Sequence, residues 1–296
     1  MSLKDKKTKE ELKFTIGCDP EVFLRDVEGN IAPAFLYISG TKDKPEPITS
    51  KGHAIQYDNC SAEYNVPPSD NVKDFIENNK FVLNYLKDAI CAPNNLTLDI
   101  SPSVIIKEEY THTPIAQQFG CDPDYCAWNG QENSVVKENP LQRVAGGHIH
   151  IGIEGLDYFK ALEIIRAMDI FLSVPLVLLE PLSERKKMYG KAGAFRFKTI
   201  QDGKLGIVEY RTPSNFWLTS DEMMEFAYNA VKRAIAFVNE EWIITNPEEI
   251  QECINTNNGI LAQSIIDDYQ IEIPSALKAT ISHLDHIIEN HNGEVS

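Results

Sequence analysis

The sequence has no CxxC pair. Its six cysteines stand at positions 18, 60, 91, 121, 126 and 253, a scatter that suits free thiols in a reducing compartment rather than a disulfide frame or a zinc ribbon. Long apolar runs are missing too. The longest, IFLSVPLVLL at 170–179, is interrupted by Pro175, so a core helix is expected there and not a membrane span. The opening residues MSLKDKKTKEELK are charged and carry no apolar stretch, which argues against a secretory signal and for a cytoplasmic location. Basic residues are outnumbered 28 to 44, giving a net charge of −16. A chain this acidic repels phosphate backbones and anionic lipid, so neither nucleic acid nor membrane is an expected partner. Phosphate-binding glycine loops are absent as well: GKAGAF lacks the P-loop spacing, and no GxGxxG follows a strand. Any nucleotide would have to be held by metals and arginines.

What is present is ordinary globular material. Apolar residues make up 43% and charged residues 24% of 296, enough to bury a sizeable core. Residues 1–11 read as a disordered leader and 12–296 as one domain. Short strands are expected on either side of Asp19-Pro20, and a hairpin over 53–66. An amphipathic helix is expected over 69–90, capped by Ser69. A long helix from 156 to 180 should kink or restart at Pro175. A second hairpin is expected from GAFRFKTI and GIVEYRTP, then helices near 220–242 and 274–290. This order favours an α+β fold, a mainly antiparallel sheet with helices on one face.

On strands, residues i and i+2 share a face, and several such pairs carry chemistry. Asp19 and Glu21 flank Pro20, His148 and His150 flank Ile149, Arg196 and Lys198 flank Phe197, and Glu209 and Arg211 flank Tyr210. Asp58 and Glu63 sit on the first hairpin. Gathered on one sheet, these groups would form a floor of carboxylates and histidine beside arginines. Hard divalent cations want such oxygens and share them with phosphates. Arginine forks fit phosphate oxygens. Alone, each pair has a plainer reading: HxH suits a zinc half-site or satisfied core histidines equally, and ExR suits a surface cross-strand pair. Zinc is disfavoured because Cys121 and Cys126 stand at an x4 spacing in a different, irregular segment.

The segments GCDPEVFL, YDNCSAEYN, GGHIHIG, YGKAGAFRFK and VEYRTPSNFW, in this order over roughly 14–218, resemble the phage and bacterial COOH-NH2 ligase type 2 (phiEco32-like amidoligase) group. That group is itself similar to the glutamine synthetase and γ-glutamyl-cysteine ligase fold. The resemblance implies a glutamine synthetase-like catalytic domain with ATP and two Mg²⁺ or Mn²⁺ ions as cofactors, and it implies small-molecule or peptide carboxylate and amine substrates. It makes Asp19, Glu21, Asp58, Glu63, His148 and Glu209 metal ligands and turns His150 toward the phosphates. Arg196 and Arg211 become the catalytic arginines, with Arg196, Lys198 and Arg185 also candidates for the nucleotide. A metal-dependent hydrolase, or a non-catalytic nucleotide- or peptide-binding relative, is the alternative. The segment 111–132 would lie over the cleft and read substrate, or form a structural Ω-loop. Oligomeric state is not legible.

Overall fold

The computed structural model describes residues 12–113, 124–133 and 139–278. The expected leader lies outside these residues, as do most of the expected 274–290 helix and the middle of the 111–132 segment. Eight strands position the site. They are β1 (Phe14–Cys18), β2 (Glu21–Arg25), β3 (Ala54–Asp58), β4 (Ser61–Asn65), β5 (Tyr125–Cys126), β6 (Ile149–Glu154), β7 (Ala194–Ile200) and β8 (Leu205–Tyr210). One sheet has the order β1-β6-β8-β7-β5, and a second is built around β2, β4 and β3. Every pairing among these strands is antiparallel. The expected α+β class with a mainly antiparallel sheet is borne out.

Pro20 is the hinge between the two sheets. Its ring removes a backbone donor, so the chain leaves β1, paired to β6, and re-enters as β2, paired to β4. β4 bridges the break, for the amides of Tyr64 and Val66 donate to the carbonyls of Pro20 and Cys18. Both expected hairpins form. The β3–β4 turn uses Asn59 at φ 54°, a conformation asparagine tolerates better than most residues.

The helices are α1 (Val72–Tyr85), α2 (Tyr158–Met168), α3 (Val174–Leu179), α4 (Asp221–Asn239), α5 (Pro247–Thr256) and α6 (Gly259–Asp268). One detail differs from the sequence expectation, and the expected restart at Pro175 is found with a wide turn before it. α1 starts at Asn71, whose side chain accepts from the Asp74 amide, while Ser69 exchanges backbone hydrogen bonds with Ile16. The break in the long helix comes before Pro175, as a wide π turn over Asp169–Ser173. The proline then sits in the first turn of α3, directly after the wide turn.

The helices cover the sheet face to which Val208 and Tyr210 point, both 0% exposed. The Tyr210 hydroxyl donates to Asp169 Oδ1 at 2.6 Å and lies 2.5 Å from Ser173 Oγ, both in the π turn. The other face carries Glu209. Among the described residues no helix is long and apolar enough to cross a membrane.

Candidate active site

The site follows from register. His150 lies opposite Gly17 on β1 and Glu209 on β8, and Glu209 lies opposite Arg196 on β7. Gly17, His150, Glu209 and Arg196 therefore form one row across four strands. The next row on that face is Asp19, His148, Arg211 and Ala194, linked through the Asp19 amide to His148 O and the Arg211 amide to Ala194 O. Asp19, His150 and Glu209 bring one ligand atom each within 4.8 Å of one another. Across Pro20, Glu21 faces Glu63 on β4, which faces Gln56 on β3. Glu21, Asp58 and Glu63 form a second group of the same dimension. Alternation alone would leave Asp19 and Glu21 on one side; the step between sheets sends them to different clusters.

The glycines of AGGHIHIG have a steric cause. A Cβ on Gly146 would stand 2.2 Å from His148 Nε2, and one on Gly147 would stand 2.0 Å from the Ser214 carbonyl. His148 is folded back over Gly146 and is 4% exposed. Gly146 also clamps Glu21 twice: its amide donates to Glu21 Oε2 at 2.8 Å, and its carbonyl accepts from the Glu21 amide at 2.9 Å.

Electrostatics separate the two clusters. In the first, burial would raise the Asp19 carboxyl, but the neighbouring His150 and His148 hold it well below the usual carboxylate range. Burial and Asp19 push Glu209 up, while Arg211 and the two histidines outweigh them and lower it. Burial works against a charged His150, yet Asp19 raises its pKa on balance. His148 is lowered, first by burial and then by Arg211. In the second cluster burial acts first on all three carboxyls, and like charges add to it at Glu21 and Glu63. Burial and then Asp58 push Glu21 up to about 8. Glu63 is driven well above its ordinary value by burial and by Asp19, Glu21 and Asp58. Asp58 is raised chiefly by burial.

The residues present fit divalent cations. Asp19 Oδ1 and His150 Nε2 lie 3.1 Å apart, and both are buried atoms without a well-formed hydrogen bond among the described residues. Such lone pairs, facing one space with Glu209, suit an ion better than a side chain. The second cluster offers carboxylate oxygens only, a hard-cation donor set.

Several residues stand elsewhere than the resemblance implied. His148 was the expected ligand, but it is His150 that joins Asp19 and Glu209. The Nδ1 of His148 lies 3.4 Å from Asp19, 3.8 Å from Glu209 and 3.4 Å from the Arg211 guanidinium, so it braces those two carboxylates. Arg185 is 1% exposed and donates to the carbonyls of Ala145, Thr212 and Pro213 at 2.8–2.9 Å. That corrects its assignment to the nucleotide: it is a strut beneath the floor, fixing the chain just before His148 and just after Arg211. Arg211 is also buried, at 2%, and donates to Glu209 and to Asp124 Oδ2, the latter at 3.1 Å. Arg196, 22% exposed at its side chain and 3.7 Å from Glu209, stands at the open edge. Lys198 is exposed, one row further out opposite Ile207. Asp169 was missed, because its partner Tyr210 lies 41 residues away and no local pattern marks it; Asp124 falls in the 111–132 segment expected over the cleft, but its partner Arg211, 87 residues away, was not legible.

Residues 138–252 match the family model described as phage phiEco32-like COOH-NH2 ligase type 2. That stretch includes the GGHIHIG, YGKAGAFRFK and VEYRTPSNFW segments that carried the resemblance. The chain is similar, at 11% identity and a TM-score of 0.45, to the complex between the prokaryotic ubiquitin-like protein Pup and its ligase PafA. That alignment covers 91% of this chain and 62% of the other. A bifunctional glutathione synthetase from Pasteurella multocida aligns at 11% identity and a TM-score of 0.42, over 91% of this chain and 46% of that one. The chain thus spans less than two thirds of the length of either. No curated protein matches it.

Proposed function

We propose that this chain, matched over residues 138–252 to a family of carboxylate–amine ligases, is an ATP-dependent ligase that forms an amide through an acyl phosphate. One observation carries the reading. Two three-ligand clusters, Asp19/His150/Glu209 and Glu21/Asp58/Glu63, are separated only by Pro20, and an arginine stands at the open edge of the first.

Asp19, His150 and Glu209 would hold one Mg²⁺ or Mn²⁺ ion and Glu21, Asp58 and Glu63 the other. When bound, such ions offset triphosphate charge and polarise the γ-phosphoryl group. The protein's own groups do the rest. Arg196 faces the transferring phosphoryl and stabilises its charge. Arg211 and His148 fix Glu209 and Asp19 in place, and the Gly146 amide fixes Glu21. A substrate carboxylate oxygen attacks the γ-phosphorus, and the bond to the β-phosphate oxygen breaks to release ADP. The amine nitrogen then attacks the acyl carbon, inorganic phosphate departs, and the amine loses a proton to solvent or a base. Phosphorylation is needed because a free carboxylate is resonance-stabilised and negative.

The test is ADP release with Mg²⁺ over pools of acids and amines, comparing wild type with Glu21→Gln and Glu209→Gln. Release that requires both an acid and an amine and collapses in both variants supports the proposal. Amide cleavage without ATP would make the protein a hydrolase, and ADP release unchanged in both variants would remove the metal assignments.

A further inference from the structure

Behind the two cation clusters, on the core side of their strands, Asn79 of α1 is 0% exposed. Its Nδ2 donates to the Phe75 carbonyl at 2.9 Å; a carbonyl can only accept, so the orientation of the amide is fixed. The Oδ1 then accepts twice, from the Tyr64 hydroxyl at 2.8 Å and from the Cys18 thiol at 3.2 Å. Cys18 ends β1 and precedes Asp19, while Tyr64 follows Glu63 on β4. One oxygen therefore holds the neighbour of a ligand from each cluster. The covalent link through Pro20 limits how far the clusters can part, but it leaves the angle between the sheets to contacts across the break. The backbone supplies two, from the Tyr64 and Val66 amides to the Pro20 and Cys18 carbonyls, at 3.2 and 3.3 Å. Asn79 supplies another from the buried side. Asparagine is a poor residue for a helix interior, and a satisfied buried polar network selects one arrangement of the elements it joins.

We infer that Asn79 is a positioning residue for the pair of clusters: by seating Cys18 and Tyr64 on one oxygen, it sets the angle between the two sheets and hence the spacing of two ions under one triphosphate. The inference rests on the cation assignments proposed above. It has a distinctive consequence, because the ligands divide by sheet. Asp19, His150 and Glu209 are carried by the first sheet, and Glu21, Asp58 and Glu63 by the second. A change of angle leaves each cluster whole and alters only what must span both.

The experiment uses the full chain, Mn²⁺ and the non-hydrolysable analogue β,γ-methylene-ATP. Free Mn²⁺ followed by electron paramagnetic resonance gives the number and affinity of ion sites, and calorimetry at saturating Mn²⁺ gives the analogue affinity. Asn79→Ala should bind two Mn²⁺ ions within about threefold of wild type, yet bind the analogue on the order of 10–100-fold more weakly. Tyr64→Phe, which keeps the ring and releases only β4, should show the same separation more mildly. Cys18→Ser keeps a donor and should match wild type. Val82→Ala, on the same buried face of α1, is the stability control: it should lower Tm without weakening the analogue. Wild-type analogue affinity in both Asn79→Ala and Tyr64→Phe overturns the inference while the cation reading stands. So does a loss of Mn²⁺ affinity large enough to account for the weaker analogue, or an equal loss of analogue affinity in Val82→Ala. A wild-type chain that binds fewer than two Mn²⁺ ions, or does not bind the analogue, overturns both.

Discussion

Removing divalent cations from the protein should make its stability fall as pH rises from about 5 to about 8. The cause is the cluster of Glu21, Asp58 and Glu63, whose ligand oxygens all lie within 4.8 Å of one another. At that separation and an effective dielectric of about 20, two unit charges repel by about 3.5 kcal/mol. Glu21 accordingly titrates near 8 instead of 4.5, through burial first and Asp58 second. An acid whose folded pKa is raised binds more protons folded than unfolded between those two values, so stability declines with pH across that window. At about 1.4 kcal/mol per tenfold change in proton affinity, the upper bound from Glu21 alone is about 4–5 kcal/mol. For a chain of this size that corresponds to a fall in Tm on the order of 10 °C. The assay is thermal unfolding in EDTA at pH 5.5 and 8.0, repeated with Mn²⁺. A cation at a hundred times its Kd should return about 2.7 kcal/mol at pH 8. Other groups titrate here, so the deciding quantity is the difference from Glu21→Gln. That variant should lose the share of the slope that Glu21 carries, with Glu63 and Asp58 retaining theirs, and most of the Mn²⁺ response. A cation-free Tm that stays flat or climbs toward pH 8, or a slope in Glu21→Gln as steep as that of wild type, refutes the reasoning.

Three further outcomes are expected from the geometry. Arg196→Ala should lower the rate of ADP release by roughly 10²–10³ with little change in Tm, because this side chain is 22% exposed and lies 3.7 Å from Glu209; steady-state kinetics beside a melting curve will show it. Gly146→Ala should abolish turnover and cost about 1–3 kcal/mol in urea unfolding, since the new methyl would stand 2.2 Å from His148 Nε2. Asp169, raised to about 6 by burial despite hydrogen bonds from Tyr210 and Trp128, stabilises the fold most when protonated. The stability gap between wild type and Asp169→Asn should therefore widen, by up to about 3 kcal/mol, as pH drops from 7 to below 4, measured by urea midpoints.

The parts of the site that could be read from sequence are those written in the period of a strand. His150 and Glu209 sit in runs whose alternation names their face, and pairing of those runs brings them opposite each other. The hairpins over 53–66 and 194–210 were legible for the same reason, turn chemistry flanked by alternating apolar residues. The misread residues depend on distant chain. Arg185 sits in SERKKMYG, which looks like a solvated turn, and is buried only because carbonyls 27, 28 and 40 residues away converge on it. His148 and His150 look equivalent in sequence; they differ because His148 lies just outside the strand, folded over Gly146. The wide turn that opens at Asp169 meets Tyr210 and Trp128 through hydrogen bonds that no helical periodicity contains.

Pro20 has one more consequence. Since the two acidic pockets are tethered through a single intervening residue, the gauge between them is covalent. Loops around the cleft can lengthen or be exchanged without altering it, whereas one extra glycine between Asp19 and Glu21 would detune the pair with each sheet still whole. The chain has fastened its two halves at the point where chemistry would be least tolerant of slack.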